Sequence, residues 1–266
     1  MILLAVDGNS ILNRAFYAIR LLSTKDGRFT NGIYGFMNIL LSQIDTYKPD
    51  AIAVAFDLKG PTFRHEIYKE YKAGRRTPPT ELVEQFPPLK ELLLALGYTV
   101  LEKEGYEADD ILGTLSAKCT GDDLCYIATG DRDSLQLINK NCKVLLASTK
   151  GGQSFTTVYD EDKIKEEYSV TPAQLIDIKA IMGDSSDNIP GVKGIGQKGA
   201  IDLISRFNSL KEIYDNIDDI DIKESVRAKL KASQNEAFLS YEIGTVNKNV
   251  PGITAVSDYI VAPADE

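Results

Sequence analysis

The chain has 266 residues, of which 43% are hydrophobic, so it can bury the core of one large domain or two small ones, and disorder as its overall state is excluded. Its three cysteines form no C-x-x-C pair, which indicates a reducing cytoplasm rather than a disulfide framework. There is no basic leader and no run of roughly 20 apolar residues, so we expect a soluble protein. The net charge of −9 disfavours nucleic-acid binding unless the basic residues are clustered.

Short apolar runs rich in β-branched residues alternate with helix-period segments through the first 160 residues. This pattern predicts a mostly parallel central sheet flanked by helices. The predicted strands are 2–6, 51–56, 98–101, 124–128 and 143–147. The predicted helices are 33–47, 81–96 and 108–118, the second with Thr80 as its amino-terminal cap and Gly97 as its end. Gly151 and Gly152 predict a hairpin-like stretch.

From about residue 160 the composition becomes helical. The predicted helices are 160–168, 172–182, 197–207, 210–217, 223–232 and 235–246. We therefore predict an α/β domain over 1–160 and a helical region over 161–266. Residues 251–266 contain proline and acids with little periodicity, which indicates a mobile end or the start of a linker.

Acidic residues directly follow three of the predicted strands. Asp7 follows the first strand, Asp57 the second, and Asp131 and Asp133 the fourth. Because the carboxyl ends of parallel strands meet at one edge of a sheet, we expect these side chains to lie close together. Any one of them could instead be a turn residue or a helix cap.

Two further acidic groups occur in short motifs. Glu107, Asp109 and Asp110 stand at the start of a predicted helix, and Asp184 and Asp187 lie three residues apart in a loop. A solvated acidic turn is the alternative for the first group. Repulsion between clustered carboxylates favours a divalent cation, and oxygen ligands without Cys or His indicate Mg²⁺ or Mn²⁺ rather than zinc. The lone histidine, His65, gives no support to a serine-hydrolase triad.

Basic residues cluster in one strip and one glycine-rich loop. Six Lys or Arg against two acids lie at 59–79, mixed with aromatics, and Gly74 with the proline pair 78–79 indicates a mobile crossing segment that tracks a nucleic-acid backbone. A solvated helix face is the alternative. The loop PGVKGIGQKGA at 190–200 is typical of a helix-hairpin-helix at about 188–206, in which backbone N–H groups approach phosphate.

Five ordered blocks resemble the signatures of the 5′-nuclease and flap-endonuclease family, to which the amino-terminal domain of bacterial DNA polymerase I belongs. The blocks are VDGNSILNRAF, AVAFDLKGPTFRHEIYKEYKAGR, GYEADDILGTL, TGDRDSLQL and GDSSDNIPGVKGIGQKGA. The resemblance extends from residue 5 to about residue 250. It implies a PIN-like sheet domain, a two-metal site, a basic arch or gateway at about 59–80, and a hairpin that grips duplex DNA and holds K⁺.

The resemblance also assigns roles to individual residues. Asp7, Asp57, Asp109 and Asp110 would hold a tightly bound Mg²⁺, and Asp131, Asp133, Asp184 and Asp187 would surround a second ion, with Mn²⁺ as a substitute. Glu107 would act directly or through water, and Lys72 and Arg75 would stabilise the scissile phosphate. The predicted DNA-binding residues are Arg14, Arg64, Lys69, Tyr71, Lys72, Arg75, Arg76, Lys193, Gly194, Gly196 and Lys198.

The resulting expectation is a 5′-3′ exonuclease and 5′-flap endonuclease of bacterial replication and repair. Its substrates would be DNA with a 5′ flap, nick or 5′ end, or an RNA primer flap. We expect a monomer in the cytoplasm, at the nucleoid, with a DNA polymerase in the same chain or as a separate partner. A non-catalytic, structure-specific DNA-binding module and a ribonuclease with a related acidic sheet are the alternatives.

Overall fold

The computed structural model describes residues 1–150 and 153–261. Six strands form one sheet in the order β3-β2-β1-β4-β5-β6, in which the first five are parallel and β6 is antiparallel to β5. The predicted mostly parallel sheet is therefore confirmed. The strands are β1 (Ile2–Asp7), β2 (Ala51–Ala55), β3 (Thr99–Leu101), β4 (Leu124–Thr129), β5 (Cys142–Lys150) and β6 (Gln153–Tyr159). The predicted hairpin forms between β5 and β6, although Gly151 and Gly152 lie outside the described residues.

Twelve α-helices occur in the described part of the chain. They are α1 (Gly8–Ala18), α2 (Asn31–Tyr47), α3 (Phe63–Ile67), α4 (Thr80–Val83), α5 (Phe86–Ala95), α6 (Ala108–Lys118), α7 (Glu161–Tyr168), α8 (Leu175–Met182), α9 (Gln197–Phe207), α10 (Leu210–Asp215), α11 (Glu224–Ala232) and α12 (Gln234–Gly244). Three 3₁₀-helices cover Arg132–Leu137, Pro172–Gln174 and Val256–Tyr259.

The predicted helix 81–96 is two helices, α4 and α5. Pro87 and Pro88 lie in the first turn of α5, where their missing N–H groups cost nothing, and inside a continuous helix they would break it. Thr80 is the first residue of α4 and Pro79 stands at the cap position, so that prediction was wrong. Gly97 has a positive φ of 78° just after α5 and ends it as predicted.

The chain folds as two compact units. The sheet unit contains Met1–Gly60, Thr77–Asp160 and Asn247–Glu266, and the helical unit contains Pro61–Arg76 and Glu161–Val246. Strands β1 and β2 are almost entirely buried, as expected of central parallel strands covered by helices on both faces. The hydrophobic core formed with α1, α2 and α5 fixes the carboxyl ends of these strands.

The helical unit is organised around α8, which packs against α9, α10 and α12. Six of the eight residues of α8 are buried. The segment Pro61–Arg76 belongs to this unit, and Tyr71 forms a small buried cluster with Ile189 and Ile243. The first part of the expected mobile crossing segment is therefore packed, because Arg64 and Tyr71 are buried, whereas residues 73–78 are exposed.

The carboxyl-terminal segment packs on the sheet up to residue 261. The 3₁₀-helix Val256–Tyr259 packs on β2, Ile260 pairs with Ala51, and the N–H of Val261 donates to the carbonyl of Asp50 at 3.1 Å. The interpretation of this part as a mobile end was wrong, because backbone pairing with the sheet compensates for its weak periodicity. Residues 262–266 lie outside the described part. None of the described helices has the length and apolar character needed to cross a membrane.

Candidate active site

Asp7 links the end of β1 to the start of α1. Its Oδ1 accepts the N–H of Ser10 at 2.9 Å as a helix cap, and its Oδ2 accepts the hydroxyl of Thr129 at 2.7 Å. Burial, together with repulsion from Asp57 and Asp131, outweighs these bonds and raises the pKa of Asp7 to about 7. The side chain is thus held in a place where negative charge is unfavourable.

Asp57 is tied to the starts of two helices, α1 and α6, at the same edge of the sheet. Its backbone N–H donates to Oδ1 of Asn9 at 2.9 Å, and its own Oδ1 accepts the N–H of Ala108 at 2.7 Å. Ala108 is the first residue of α6, so Asp57 faces the positive end of that helix. These bonds connect the ends of β1 and β2 with the start of α6.

Glu107 and Asp110 form a reciprocal capping box at the start of α6. Asp110 is completely buried, and its Oδ2 accepts the N–H of Glu107 at 3.0 Å. Its Oδ1 accepts the N–H of Asn247 at 2.8 Å. Each oxygen of Asp110 therefore holds a backbone group in place, a structural role that the sequence motif did not indicate.

Asp131, Asp133 and Asp109 complete the acidic edge. Asp131 caps the 3₁₀-helix after β4 by accepting the N–H of Asp133 at 2.9 Å. Asp109 accepts a long hydrogen bond of 3.4 Å from the hydroxyl of Ser134. Burial, followed by repulsion from Asp7, Asp131, Asp133 and Asp57, raises the pKa of Asp109 well above its usual value.

Five carboxylates of the sheet unit therefore repel one another, four that follow β1, β2 and β4 and one in the first turn of α6: Asp7, Asp57, Asp131, Asp133 and Asp109. The expectation that the strands bring Asp7, Asp57, Asp131 and Asp133 together is confirmed, and Asp109 of α6 joins them. A divalent cation offsets such repulsion, and a set made only of oxygen donors suits hard cations. The cluster has the chemistry of a divalent metal centre.

Arg14 lies beside this edge. Its Nη2 donates to the carbonyl of Gly130 at 3.2 Å, and its buried Nε has no hydrogen-bond partner among the described residues. A Cβ on Gly130 would lie 2.5 Å from that Nε, so a larger residue there would displace the guanidinium. Arg14 thus brings a positive charge to the loop that carries Asp131.

Asp184 and Asp187 lie in the helical unit, in the loop after α8. Asp184 accepts the N–H and hydroxyl of Ser186 at 2.8 and 2.6 Å, and it pairs at 2.9 Å with Lys179, which is buried. Burial acts to raise its pKa, but these partners outweigh it and lower the pKa to about 2. Lys179 was missed in the sequence, although a lysine in a helix whose only other charged residue is Asp177, directly before an acidic loop, is a usable signal.

Asp187 is held by the basic strip of the same unit. Arg75 donates to its Oδ1 from Nε at 3.1 Å and from Nη2, and the hydroxyl of Tyr71 lies 3.5 Å from Oδ2. The N–H of Lys72 donates to the carbonyl of Asp187 at 2.9 Å. Lys72 has a positive φ of 57°, a conformation that costs a non-glycine residue energy and is often kept at functional sites.

Two predicted DNA-binding residues lie inside the helical unit. Arg64 is 3% exposed, and it donates from Nε to the carbonyl of Ile243 at 2.8 Å and from Nη2 to that of Thr245 at 3.1 Å. Tyr71 is 4% exposed. In the helical unit Arg64 holds the end of α12 and Tyr71 packs in the interior, and their contact with DNA stays a prediction. Lys69, Arg75 and Arg76 are exposed.

The glycine-rich loop joins α8 to α9 as expected of a helix-hairpin-helix. Gly183 and Gly191 have positive φ and touch, so that a Cβ on Gly191 would lie 2.3 Å from the backbone nitrogen of Gly183. The loop exposes Lys193, Gly194 and Gly196, and Lys198 is exposed in the first turn of α9. Gly196 caps α9, whose first N–H groups favour an anion.

Comparison with protein families divides the chain into two matched parts. Residues 2–169 match the 5′-3′ exonuclease amino-terminal resolvase-like domain, and residues 170–266 match the 5′-3′ exonuclease carboxyl-terminal SAM fold. The chain belongs to the 5′-3′ exonuclease family. The resemblance in the sequence is thereby confirmed, and with it a nuclease fold that combines a PIN-like sheet with a helical region.

Relatives of this 5′-3′ exonuclease include DNA polymerase I of Caldicellulosiruptor bescii, with 47% identity over 253 residues, and DNA polymerase I of Bacillus subtilis, with 43% over 256 residues. These matches cover 94% and 96% of this chain. The chain spans 29% of the length of each of these two relatives.

Solved structures give the same fold. A bacteriophage T5 5′-exonuclease with bound zinc superposes with a TM-score of 0.75 at 25% identity, over 93% of this chain and 90% of that one. The bacteriophage T5 flap endonuclease in complex with DNA and metal ions gives a TM-score of 0.74 at 25% identity, over 93% and 89%.

Proposed function

We propose that this 5′-3′ exonuclease hydrolyses phosphodiester bonds at 5′ ends and 5′ flaps of DNA near single-strand/duplex junctions, in primer removal and repair. The observation that carries the proposal is the set of five mutually repelling carboxylates, Asp7, Asp57, Asp109, Asp131 and Asp133. Bound divalent ions in such a site activate water and stabilise the leaving oxygen. We propose Mg²⁺, with Mn²⁺ as a substitute, and K⁺ at the hairpin.

The protein's own residues would divide the remaining work. Asp7 and Asp109, whose raised pKa values show that negative charge is least favourable there, would release their protons to solvent when a cation binds. Glu107 and Asp110 would orient the start of α6, and Asp184 and Asp187 stay predicted ligands. Lys72 and Arg75 are proposed to offset charge on the phosphate, as electrostatic stabilisers rather than proton acceptors.

The proposed substrates and partners rest on membership in the 5′-3′ exonuclease family. We propose DNA flaps, nicks and 5′ ends as substrates, RNA primer flaps as a second class, and a DNA polymerase in the same chain or in a separate one. The proposed setting is the bacterial cytoplasm, at the nucleoid, and the proposed working form is a monomer.

The decisive experiment is cleavage of a labelled 5′-flap duplex in Mg²⁺ and in EDTA, with binding measured separately in Ca²⁺. We expect cutting near the junction in Mg²⁺ only. Asp109→Ala should abolish cutting and keep binding, whereas Asp122→Ala, an exposed acid ahead of β4, should cut normally. Binding without cutting in Mg²⁺ or Mn²⁺ would leave a non-catalytic DNA-binding module.

Cleavage of a matched RNA flap distinguishes the proposed DNA nuclease from the ribonuclease alternative. We expect the DNA flap to be cut at least as fast as an RNA flap of the same sequence and geometry. Cleavage restricted to RNA, with the DNA flap intact, would assign the chain to the ribonucleases instead.

A further inference from the structure

A lysine from α11 contacts the glycine-rich hairpin of the helical unit. The ammonium of Lys229 donates to the carbonyl of Gly194 at 3.0 Å. Gly194 has a positive φ of 79°, and a Cβ there would lie 3.2 Å from Nζ and 3.4 Å from Cε of Lys229. Glycine at this position therefore allows both the turn and the close approach of the lysine stem.

The charge of Lys229 is not offset by a carboxylate of the described residues. Other cations of α9 to α11 form ion pairs: Arg206 with Asp202, Lys211 with Asp215 and Lys231 with Asp218. Within residues 1–150 and 153–261, neither Lys229 nor Lys193 forms one. Gly194 takes one of the three N–H donors of the Lys229 ammonium, and two stay available for a ligand.

Lys229 and Lys193 line the same open groove, which has a volume of about 830 Å³. The hairpin forms one wall, and the end of α11 with the start of α12 forms the other. Glu236 also lines the groove, but it forms an ion pair with neither lysine. An open groove with two ammonium groups that no described carboxylate neutralises suits a phosphodiester backbone, which carries one charge per phosphate.

We propose that Lys229 is a positioning residue for duplex DNA, with two effects. It fixes the carbonyl of Gly194 and so the shape of the hairpin, and together with Lys193 it binds the phosphate backbone in the groove. The inference rests on the proposed function only in taking DNA as the ligand. It extends the DNA-binding surface from the hairpin to α11.

The test measures affinity for a 5′-flap duplex in Ca²⁺ between about 50 and 200 mM salt. Loss of one phosphate contact lowers the slope of log K against log salt by about 0.9. The ratio of wild-type to variant affinity therefore falls about 3.5-fold between the two salt concentrations. We expect this result for Lys229→Ala and Lys229→Gln, and a retained slope for Lys229→Arg. An unchanged slope in both uncharged variants would overturn the phosphate contact.

Two further measurements separate the effects. Lys231→Ala removes the same charge from the other side of α11, where Asp218 already neutralises it, and should leave the slope unchanged. An equal fall in the slope of this variant would show that only net charge matters and would overturn the inference. Amide exchange in the hairpin, 193–196, should accelerate in Lys229→Ala but not in Lys229→Gln, which keeps a donor for Gly194. Equal exchange in the alanine variant would overturn the positioning role.

Failure of this inference is distinguishable from failure of the proposed function. If the unsubstituted protein binds the duplex but does not cut it in Mg²⁺, the nuclease proposal fails and the Lys229 comparison still stands. If it cuts while Lys229→Ala and Lys231→Ala bind alike, only the present inference fails.

Discussion

Arg75 donates two hydrogen bonds to the same oxygen of Asp187, a carboxylate that is 8% exposed. Arg75 is 49% exposed, so solvent screens the pair only in part. We expect Arg75→Ala to lower the metal-free free energy of unfolding by about 1–2 kcal/mol, because a buried carboxylate loses its charged partner. Arg76→Ala, the same change at the next and exposed position, should stay within about 0.5 kcal/mol. Equal urea midpoints for the two variants would contradict this.

Two adjacent acids should affect stability in opposite directions. In EDTA at pH 8, Asp109→Asn should raise the free energy of unfolding by about 1 kcal/mol or more, because it removes repulsion and the cost of burying charge. Asp110→Asn should lower it by about 1–3 kcal/mol, because one oxygen that accepts a backbone N–H becomes an amide donor. Urea denaturation measures both, and loss of stability in both variants would argue against mutual repulsion in the acidic cluster.

The metal-free protein should lose stability as pH rises. The pKa of Asp7 is about 7 in the folded state and near 3.8 when unfolded, so between these values only the folded state holds the proton. Asp7 then lowers stability by up to about 1.4 kcal/mol per pH unit as pH rises from about 4 to 7. The difference between the wild type and Asp7→Asn isolates this slope. Saturating Mg²⁺ should reverse the sign of this slope. A difference in free energy of unfolding between the two proteins that does not change with pH in EDTA would refute the raised pKa of Asp7.

Gly196 and Gly191 separate two reasons for glycine in the hairpin. A Cβ added at Gly196 would meet no heavy atom of the described residues within 4 Å, and the φ of −94° is ordinary, so Gly196→Ala should leave the urea midpoint unchanged. It should weaken duplex binding roughly threefold or more if phosphate approaches the backbone there. Gly191→Ala should instead unfold the loop, because its Cβ overlaps the backbone of Gly183. Full DNA affinity in Gly196→Ala would exclude close backbone contact.

The sequence predicts the sheet and its acidic edge well, because both depend on local pattern. An apolar run followed by an acid predicts a strand and its carboxyl end. For Asp7, Asp57 and Asp131, the parallel arrangement of the strands then places the acids at the same edge of the sheet. The break at Pro87 and Pro88 was missed, although it could have been predicted because proline is tolerated in the first turn of a helix and not beyond it.

The burial of Arg64 and Tyr71 could not be predicted from their basic neighbourhood. Lys69, Arg75 and Arg76 share that composition and are exposed. What distinguishes Arg64 is a pair of carbonyls about 180 residues further along the chain, which no local pattern reveals. Asp110 is similar, because its partner Asn247 is remote in sequence.

The way the chain is shared between the two units limits how it can be divided. The polypeptide passes from one unit to the other after residues 60, 76, 160 and 246, whereas the two family matches meet at 169/170. A fragment cut at that junction would keep Arg64 but lose the carbonyls of Ile243 and Thr245, and it would keep Asp110 but lose the N–H of Asn247. Residues 2–169 therefore lack contacts that the folded chain provides. The acidic edge of the sheet depends on Asn247, which lies 137 residues after Asp110.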